Sequence, residues 1–449
     1  MSCAGPARAP VPEQAAAPPA SRAYQAAYIL TWSQQRIGHA TEQLMERDGG
    51  YALRREENIS IRRGARTVHV RTAVHVALDA AMRPTAVRVE RDGDGGAVTG
   101  RADRAADGTW RATFGGEAAR SLPAGAVPLE ILPVLLADNA RYQGTVMLAG
   151  YGFATGELYT RPDPLDPHRV LASLVVPSGV LTNALVFDGD GLARVDAPGG
   201  VESYRVGAGD IAEPFDPPEL VDSASIPVAG RPPRNPALVR LELDGVTAPE
   251  PPVLPAQALL ASGTRWDVTL AAGFNSAGVD ATAAAVPAIA PDPELSATAD
   301  AIVRESGART PTDELAALAS YTDKLLENDL AAPATDARTA FALGRGDCTA
   351  HAAVFASFAA ARGFEVRLVT GFRLSDTATG WRLIRHRWAI ARVGSGDADR
   401  WIAVDPTYGE APSAAVLLGL VVHGAGAGEI AMLDEVTFAG FADTIAKFR

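Results

Sequence analysis

Cysteine occurs twice in these 449 residues, and one of the two opens a run shaped like a helix. Cys348 stands in Gly344-Arg345-Gly346-Asp347-Cys348-Thr349-Ala350-His351-Ala352. The Ala-rich stretch after it runs to Arg362 and meets Gly363. Alanine favours helix, and a glycine just past the last turn is a common stop. Asp347 is placed to cap the start, which puts Cys348 in the first turn. There the helix dipole and free N–H groups favour a thiolate. Ala352, Phe355, Phe358 and Ala359 share one face, so the spacing predicts a helix packed into a core by that face. A free cysteine is otherwise among the most buried residue types, so the helix alone leaves a structural thiol open as a reading.

Three short strands are predicted after the helix. Glu365 to Phe372 is the first, and a polar turn from Ser375 to Gly380 follows it. The second runs from His386 to Val393, with His386 at its start. A Gly/Asp turn, Gly394 to Asp399, leads to the third, Trp401 to Asp405, which Pro406 stops. Successive antiparallel strand ends can set an imidazole beside a carboxylate, above a helix N-terminus that carries a thiol. Such a thiol needs a base to become a nucleophile, and the base needs a third group to orient it. Each of these residues has an ordinary role too: His386 as a strand-end histidine, Asp405 as a cap before proline.

The order Gly346-Asp347-Cys348 before an Ala-rich helix, then Arg362-Gly363-Phe364-Glu365-Val366-Arg367-Leu368-Val369-Thr370-Gly371-Phe372, then His386-x-Trp388, then Trp401-x-x-Val404-Asp405-Pro406-Thr407 resembles the transglutaminase-like branch of the papain-fold superfamily. The resemblance covers roughly 336–410 and reaches back toward 290. It implies Cys348 as nucleophile, His386 as general base and acid, and Asp405 as the orienting carboxylate. Arg387 departs from the small residue more frequent there, which would narrow the cleft. The superfamily includes cross-linking enzymes, peptidases, deglycosylating enzymes and inactive members, so the resemblance speaks for the fold more than for the reaction.

His351 is a rival base, three residues from Cys348 on the same helix, but no carboxylate stands in register with it. Trp388 shares the face of His386 and either walls a cleft or fills a core. Asp347, Gly346, His351 and Trp388 are therefore the candidate cleft residues.

At 449 residues the chain is too long for one ordinary core. Residues 1–22 are Ala/Pro-rich and read as a disordered tether. Ser2-Cys3-Ala4-Gly5 ahead of that tether resembles the start of a mature bacterial lipoprotein. A lipid anchor at Cys3 and a periplasmic or outer-membrane location are the corresponding expectations, with the cytoplasm as the alternative. Residues 23–213 alternate in the strand period, for example Tyr24, Ala26, Tyr28, Leu30 and Trp32, between turns such as Asp48-Gly49-Gly50 and Asp92-Gly93-Asp94-Gly95-Gly96. That pattern predicts a β-rich domain, an antiparallel open or half-closed barrel. Residues 214–289 are read as a Pro-rich linker with a small β segment, around Ala237 to Leu243 and Arg265 to Leu270. Residues 290–449 are read as the transglutaminase-like domain, so the whole is α+β, with helices packed on an antiparallel sheet. Thr310-Pro311 opens one of those helices, with Leu315, Leu318, Thr322 and Leu325 as its buried stripe.

Forty-one basic against 53 acidic residues give a net charge of −12, which argues against a nucleic-acid partner. The longest apolar run, Ala414 to Val422, is far short of the roughly 20 residues a bilayer needs, so no transmembrane span is expected. It reads as a core strand. The sequence offers no phosphate loop and no zinc-type Cys/His cluster, and the Asp92–Gly96 turn lacks the ligand spacing of a calcium loop, so neither metal nor cofactor is expected. Only Lys324 and Lys447 are lysines, so a lysine cross-linking enzyme would find few acceptors on itself. The expected activity is cysteine-dependent acyl transfer or hydrolysis on a peptide or protein carboxamide. The alternative is a catalytically silent envelope binding or scaffold protein that keeps the fold.

Overall fold

The computed structural model describes residues 23–449 apart from 64–65, 94–96, 116–117, 138–139, 177–178, 198–199, 220–223, 234–236, 273–278, 330–335, 395–399, 425–436, 439 and 442–443. The expected tether with Cys3, residues 94–96 of the Asp92–Gly96 turn and residues 395–399 of the turn after Gly394 lie outside the described residues.

Fifteen strands form the first sheet: β1 (Tyr24–Trp32), β2 (Gln35–Arg47), β3 (Gly50–Arg63), β4 (Arg66–Leu78), β5 (Pro84–Gly93), β6 (Val98–Arg104), β7 (Trp110–Phe114), β8 (Arg120–Leu122), β9 (Val127–Pro128), β10 (Gln143–Leu148), β11 (Ala154–Asp163), β12 (Asp166–Val176), β13 (Gly179–Asp188), β14 (Gly191–Ala197) and β15 (Val201–Val206). Their order is β8 back to β1, then β15 back to β9. The two edges, β8 and β9, are thus consecutive in the chain and joined only by residues 123–126. Such a connection spans at most about 18 Å, so the sheet must curl until its edges nearly meet. A nearly closed barrel results, more closed than the sequence pattern predicts. Its lumen is filled from within: Ile131 and Val134, in and just before the Leu132–Leu136 helix, join one apolar cluster and Leu132 and Leu136 the other. Alternation sets which side chains point inward, as Val87 and Val89 are buried while Arg88 and Glu90 between and beside them are exposed. One inward position is acidic. Glu42 is buried, accepts from the Tyr24 hydroxyl and pairs with Arg55 at 2.8 Å. Glu130 Oε2 lies near it, buried, with no hydrogen-bond partner among the described residues.

The second sheet has nine strands: β16 (Ile226–Ala229), β17 (Leu238–Asp244), β18 (Gln257–Ser262), β19 (Arg265–Ala271), β22 (Val366–Thr377), β23 (Gly380–Val393), β24 (Arg400–Val404), β25 (Leu417–His423) and β26 (Ile445–Phe448). Its main path runs β18-β19-β17-β26-β16-β23-β22-β25, with β24 also on β23. The Pro-rich stretch read as a linker thus supplies four of these strands, and Ile226, Leu241 and Trp266 share a core with Phe372, Leu383 and Leu418. Two short strands, β20 (Glu327–Asn328) and β21 (Arg345–Gly346), pair in parallel beside the helices.

β22 lies along β23 from Val366↔Ala391 to Thr377↔Gly380, so it occupies one edge of β23 throughout. The other edge is divided. β16 pairs at Leu383 and Arg382, and β24 pairs from Ala389 to Val393. Residues 384–388 of β23 therefore lie in a fork between two partners, and His386 is at its centre. The expectation that His386 begins a strand is corrected: β23 starts at Gly380 and places the histidine mid-strand. The polar turn was read too long, because the β22 ladder extends to Thr377.

Helices cover the other face of this sheet. Thr310 caps the Pro311–Leu325 helix through a reciprocal capping box with Asp313, and Leu315, Leu318, Ala319 and Thr322 are its buried residues. Leu325, expected in that stripe, is only half-buried, with Ala319 in its place. Asp336 caps Ala337–Leu343. The Cys348–Ala361 helix is corrected from one buried face to burial nearly all round: Thr349 to Ala352 and Val354 to Ala360 are all buried. Phe358 meets Tyr321 and Phe341 edge-on at 6.1 and 6.0 Å, from two other helices. Its small residues let neighbours surround it, which the reading of one apolar face overlooked. Strand takes 53% of the described residues and helix 19%, so α+β describes the C-terminal half and only loosely the whole.

Candidate active site

The central helix begins where the sequence places it. Asp347 Oδ1 accepts the N–H groups of Thr349 at 2.9 Å and Ala350 at 3.3 Å. The cap thus leaves the N–H of Cys348, in the first turn, outside its reach. Asp347 therefore acts as the helix cap. Gly346 is dictated by space, because a Cβ there would come 2.2 Å from that of Ala350. The chain can therefore turn tightly into the helix. Cys348 is a free, half-buried thiol.

His386 is buried. Its Nε2 lies 2.9 Å from Asp405 Oδ2, and Cys348 is near enough to act on its charge. Burial works against a charged imidazole, but the charge and hydrogen bond of Asp405, aided by Cys348, outweigh it and raise His386 to about 10. Asp405 has no exposed surface and follows directly on β24. Burial would raise its carboxyl, yet His386 first and Arg373 second hold it below the usual carboxylate range. Its Oδ1 accepts the N–H of Thr407 at 3.2 Å.

Trp388 stacks near the imidazole, 6.1 Å away with the planes 19° apart. It is buried among Leu254, Val279, Trp401 and Leu417, so it backs His386 from the core. Gly371, opposite His386 in the β22 register, makes room for it: a Cβ there would come 2.9 Å from the Trp388 ring and 2.1 Å from the Leu418 carbonyl. His351 is drawn away from the thiol. Its Nδ1 is 2.8 Å from the Asp347 carbonyl and its Nε2 3.3 Å from that of Leu326. Arg387 does not project into a cleft. It is buried, and donates to Thr349 Oγ1 at 2.6 Å and Thr370 Oγ1 at 3.0 Å. Arg387 of β23 thus grips the helix at Thr349, one residue after Cys348.

Three neighbours were not foreseen. Arg373 of β22 donates to Asp405 Oδ2 and to both oxygens of Glu410, at 3.2 and 3.3 Å. Tyr408 lies over the Arg373 guanidinium at 3.7 Å and 6.0 Å from the imidazole. It is half-exposed and forms the visible rim of the site. Arg373 alternates as an ordinary strand residue in the sequence, and its partners lie 32 and 37 positions on, so no local signal marked it.

Residues 297–406 match the family model of the transglutaminase-like superfamily core. No curated protein matches the chain. Among solved structures, a β-barrel-like protein of a domain of unknown function from Brucella abortus is 12% identical, with 41% of this chain and 94% of that one covered and a TM-score of 0.31. A "Putative Cysteine Protease" from Cytophaga hutchinsonii is 13% identical, with 41% and 78% covered and a TM-score of 0.25. A "putative protease" from Parabacteroides distasonis is 10% identical, with 80% and 68% covered and a TM-score of 0.19. At these scores they are likenesses on which no argument rests.

Proposed function

With residues 297–406 as a transglutaminase-like core, we propose that the chain is a cysteine-dependent enzyme acting on peptide or protein carboxamides. The observation that carries this reading is the buried His386, 2.9 Å from Asp405 and within electrostatic reach of Cys348 at a helix N-terminus. A charged imidazole beside a thiol is the partner a thiolate needs, and the helix start adds positive potential.

The chemistry follows from these three groups. The Cys348 thiolate attacks the carbonyl carbon, and a C–S bond forms as the carbonyl oxygen takes the charge. The Cys348 N–H, left out of the Asp347 cap, is a donor for that oxyanion. The C–N bond then breaks, and His386 gives its proton to the departing ammonia or amine. Water or a second amine, deprotonated by neutral His386, attacks the thioester, the C–S bond breaks and the thiolate returns. Asp405 transfers no proton; it orients the imidazole and stabilises its charged form.

Iodoacetamide labelling with mass readout tests the nucleophile: Cys348 should label fast, and His386→Ala should slow it. Cys348→Ala should abolish turnover while the melting curve stays intact. Incubation with a glutamine peptide and a primary amine then separates the reactions. Peptide carrying the amine means transfer, deamidated peptide means hydrolysis of the side chain, and shortened peptide means proteolysis. Slow labelling with an unchanged peptide would leave a catalytically silent scaffold.

A further inference from the structure

We propose that Arg373 is a positioning residue of this site: it shares Oδ2 of Asp405 with His386, keeps that carboxylate aimed and charged, and limits its pull on the imidazole. This rests on the Cys348–His386–Asp405 reading above.

The argument starts from burial. Asp405 has no exposed surface, and a buried carboxylate without a counterion is strongly destabilising. His386 can serve as that counterion only while it is protonated. During an acyl transfer the imidazole must give up its proton and take it back, so its charge comes and goes. Arg373 stays charged throughout. Its Nη1 meets Oδ2 of Asp405, the same oxygen that His386 Nε2 meets at 2.9 Å, and Oδ1 is left to the Thr407 N–H. Glu410 holds the guanidinium from its other side through both carboxylate oxygens, and the Tyr408 ring covers its face at 3.7 Å. Arg373 is itself only 9% exposed. A fork held at three sides is the geometry that fixes a carboxylate's orientation.

A second effect follows from the shared oxygen. Two donors on Oδ2 divide its charge, so each bond is weaker than it would be alone. The groups that face His386 are Cys348 from the helix, Asp405 and Tyr408 from the segment after β24, and Trp388 from its own strand. Arg373 and Glu410 act one contact further out. Removing the Arg373 charge leaves Asp405 wholly to the imidazole and frees Glu410 to add its negative field. Both changes hold the proton on His386 more tightly and make it a poorer acid.

The experiment is an NMR titration of isotope-labelled histidine in the full chain, with His386→Ala to assign the signal, beside the pH profile of iodoacetamide labelling at Cys348. In Arg373→Gln the His386 midpoint should move up, and the acidic limb of labelling should stay in place or move up with it. Any turnover at neutral pH should fall about tenfold. Arg373→Lys keeps the charge, and its midpoint should stay near the parent's. An unmoved midpoint in Arg373→Gln, or an equal move in Arg373→Lys, overturns the proposal. If Arg373→Gln shows no melting transition, Arg373→Met is the second neutral variant. If neither folds, Arg373 is a structural cation alone and the proposal falls. The titration needs no substrate, so a chain without turnover can still pass it. The triad reading fails separately, if Cys348→Ala leaves the parent midpoint unchanged.

Discussion

In the barrel sheet, each strand from β1 to β8 lies beside its neighbour in sequence, and so does each from β15 to β9. In the nine-stranded sheet, β26 at Ile445–Phe448 lies between β17 and β16, both formed before residue 245. The first region is a meander closed on itself and filled by its own short helix. The second draws its strands from both ends of a long segment and wraps helices inside them. All the candidate chemistry sits in the second. Cys348, Arg373, His386 and Asp405 come from a helix, two strands and a strand end, and only non-local pairing makes them meet. A sheet of local pairs gives a rim or lumen; a sheet of distant pairs gives convergence.

The apolar clusters of the two regions are separate, which makes the contrast testable. The largest effects expected are on stability. Phe358→Ala removes an aromatic buried between two helices, and Trp110→Ala removes one from the barrel core whose Nε1 donates to the Ala126 carbonyl at 2.9 Å. Each should cost about 3–5 kcal/mol. Calorimetry should show two transitions, with Phe358→Ala lowering one and Trp110→Ala the other. A single transition lowered by both would make the regions one cooperative unit.

Asp405→Asn sharpens the other side of the comparison, by touching chemistry without the barrel. It keeps size and hydrogen bonding but removes the charge. Turnover should fall roughly 10²–10³-fold, less than the 10⁴ of the serine-protease template, because a thiol ionises more readily than a hydroxyl. If the variant turns over like the parent, Asp405 is only a cap before Pro406.

The smallest effect concerns pH and should be confined to the barrel. Burial raises the Glu130 carboxyl to about 7 from its ordinary 4.5. A raised carboxyl favours the neutral form in the folded state. Its contribution is therefore fully present below the unfolded value and lost as pH rises through the folded one. The barrel transition should weaken by on the order of 2 kcal/mol between about pH 4.5 and 7. Glu130→Gln should flatten that slope, and denaturant titrations at several pH values would measure it. The same flattening in the second region's transition would contradict the separation.

What the sequence made legible follows the same division. β4 and β7 carry clean alternation in the strand period. β2 is harder to read, because Glu42 sits in its inward register and a buried acid interrupts the apolar period. β12 carries the signal in Val170, Ala172, Leu174 and Val176. The thiol, imidazole and carboxylate were legible because each sits in a local motif: a capped helix start, a His-x-Trp strand, a strand ended by proline. Arg373 and Glu410 were not, because their meaning lies in a partner across the sheet. Of the four strands in 214–289, β17 and β19 were legible at Ala237 to Leu243 and Arg265 to Leu270, while β16 and β18 were hidden among prolines such as Pro227 and Pro255. β26 is four residues long and gains its identity only from β16 and β17.

The place of β26 also sets a timetable. During synthesis the barrel has all its strands once Val206 has emerged, whereas the nine-stranded sheet has a gap between β17 and β16 until residues 445–448 arrive. At about 5–20 residues per second that is a delay of roughly 12–50 s. β16 pairs β23 three residues before His386, so the ribosome releases a finished barrel well before it releases a finished cysteine site. The proposed nucleophile, assembled last, has little time to act on its own growing chain.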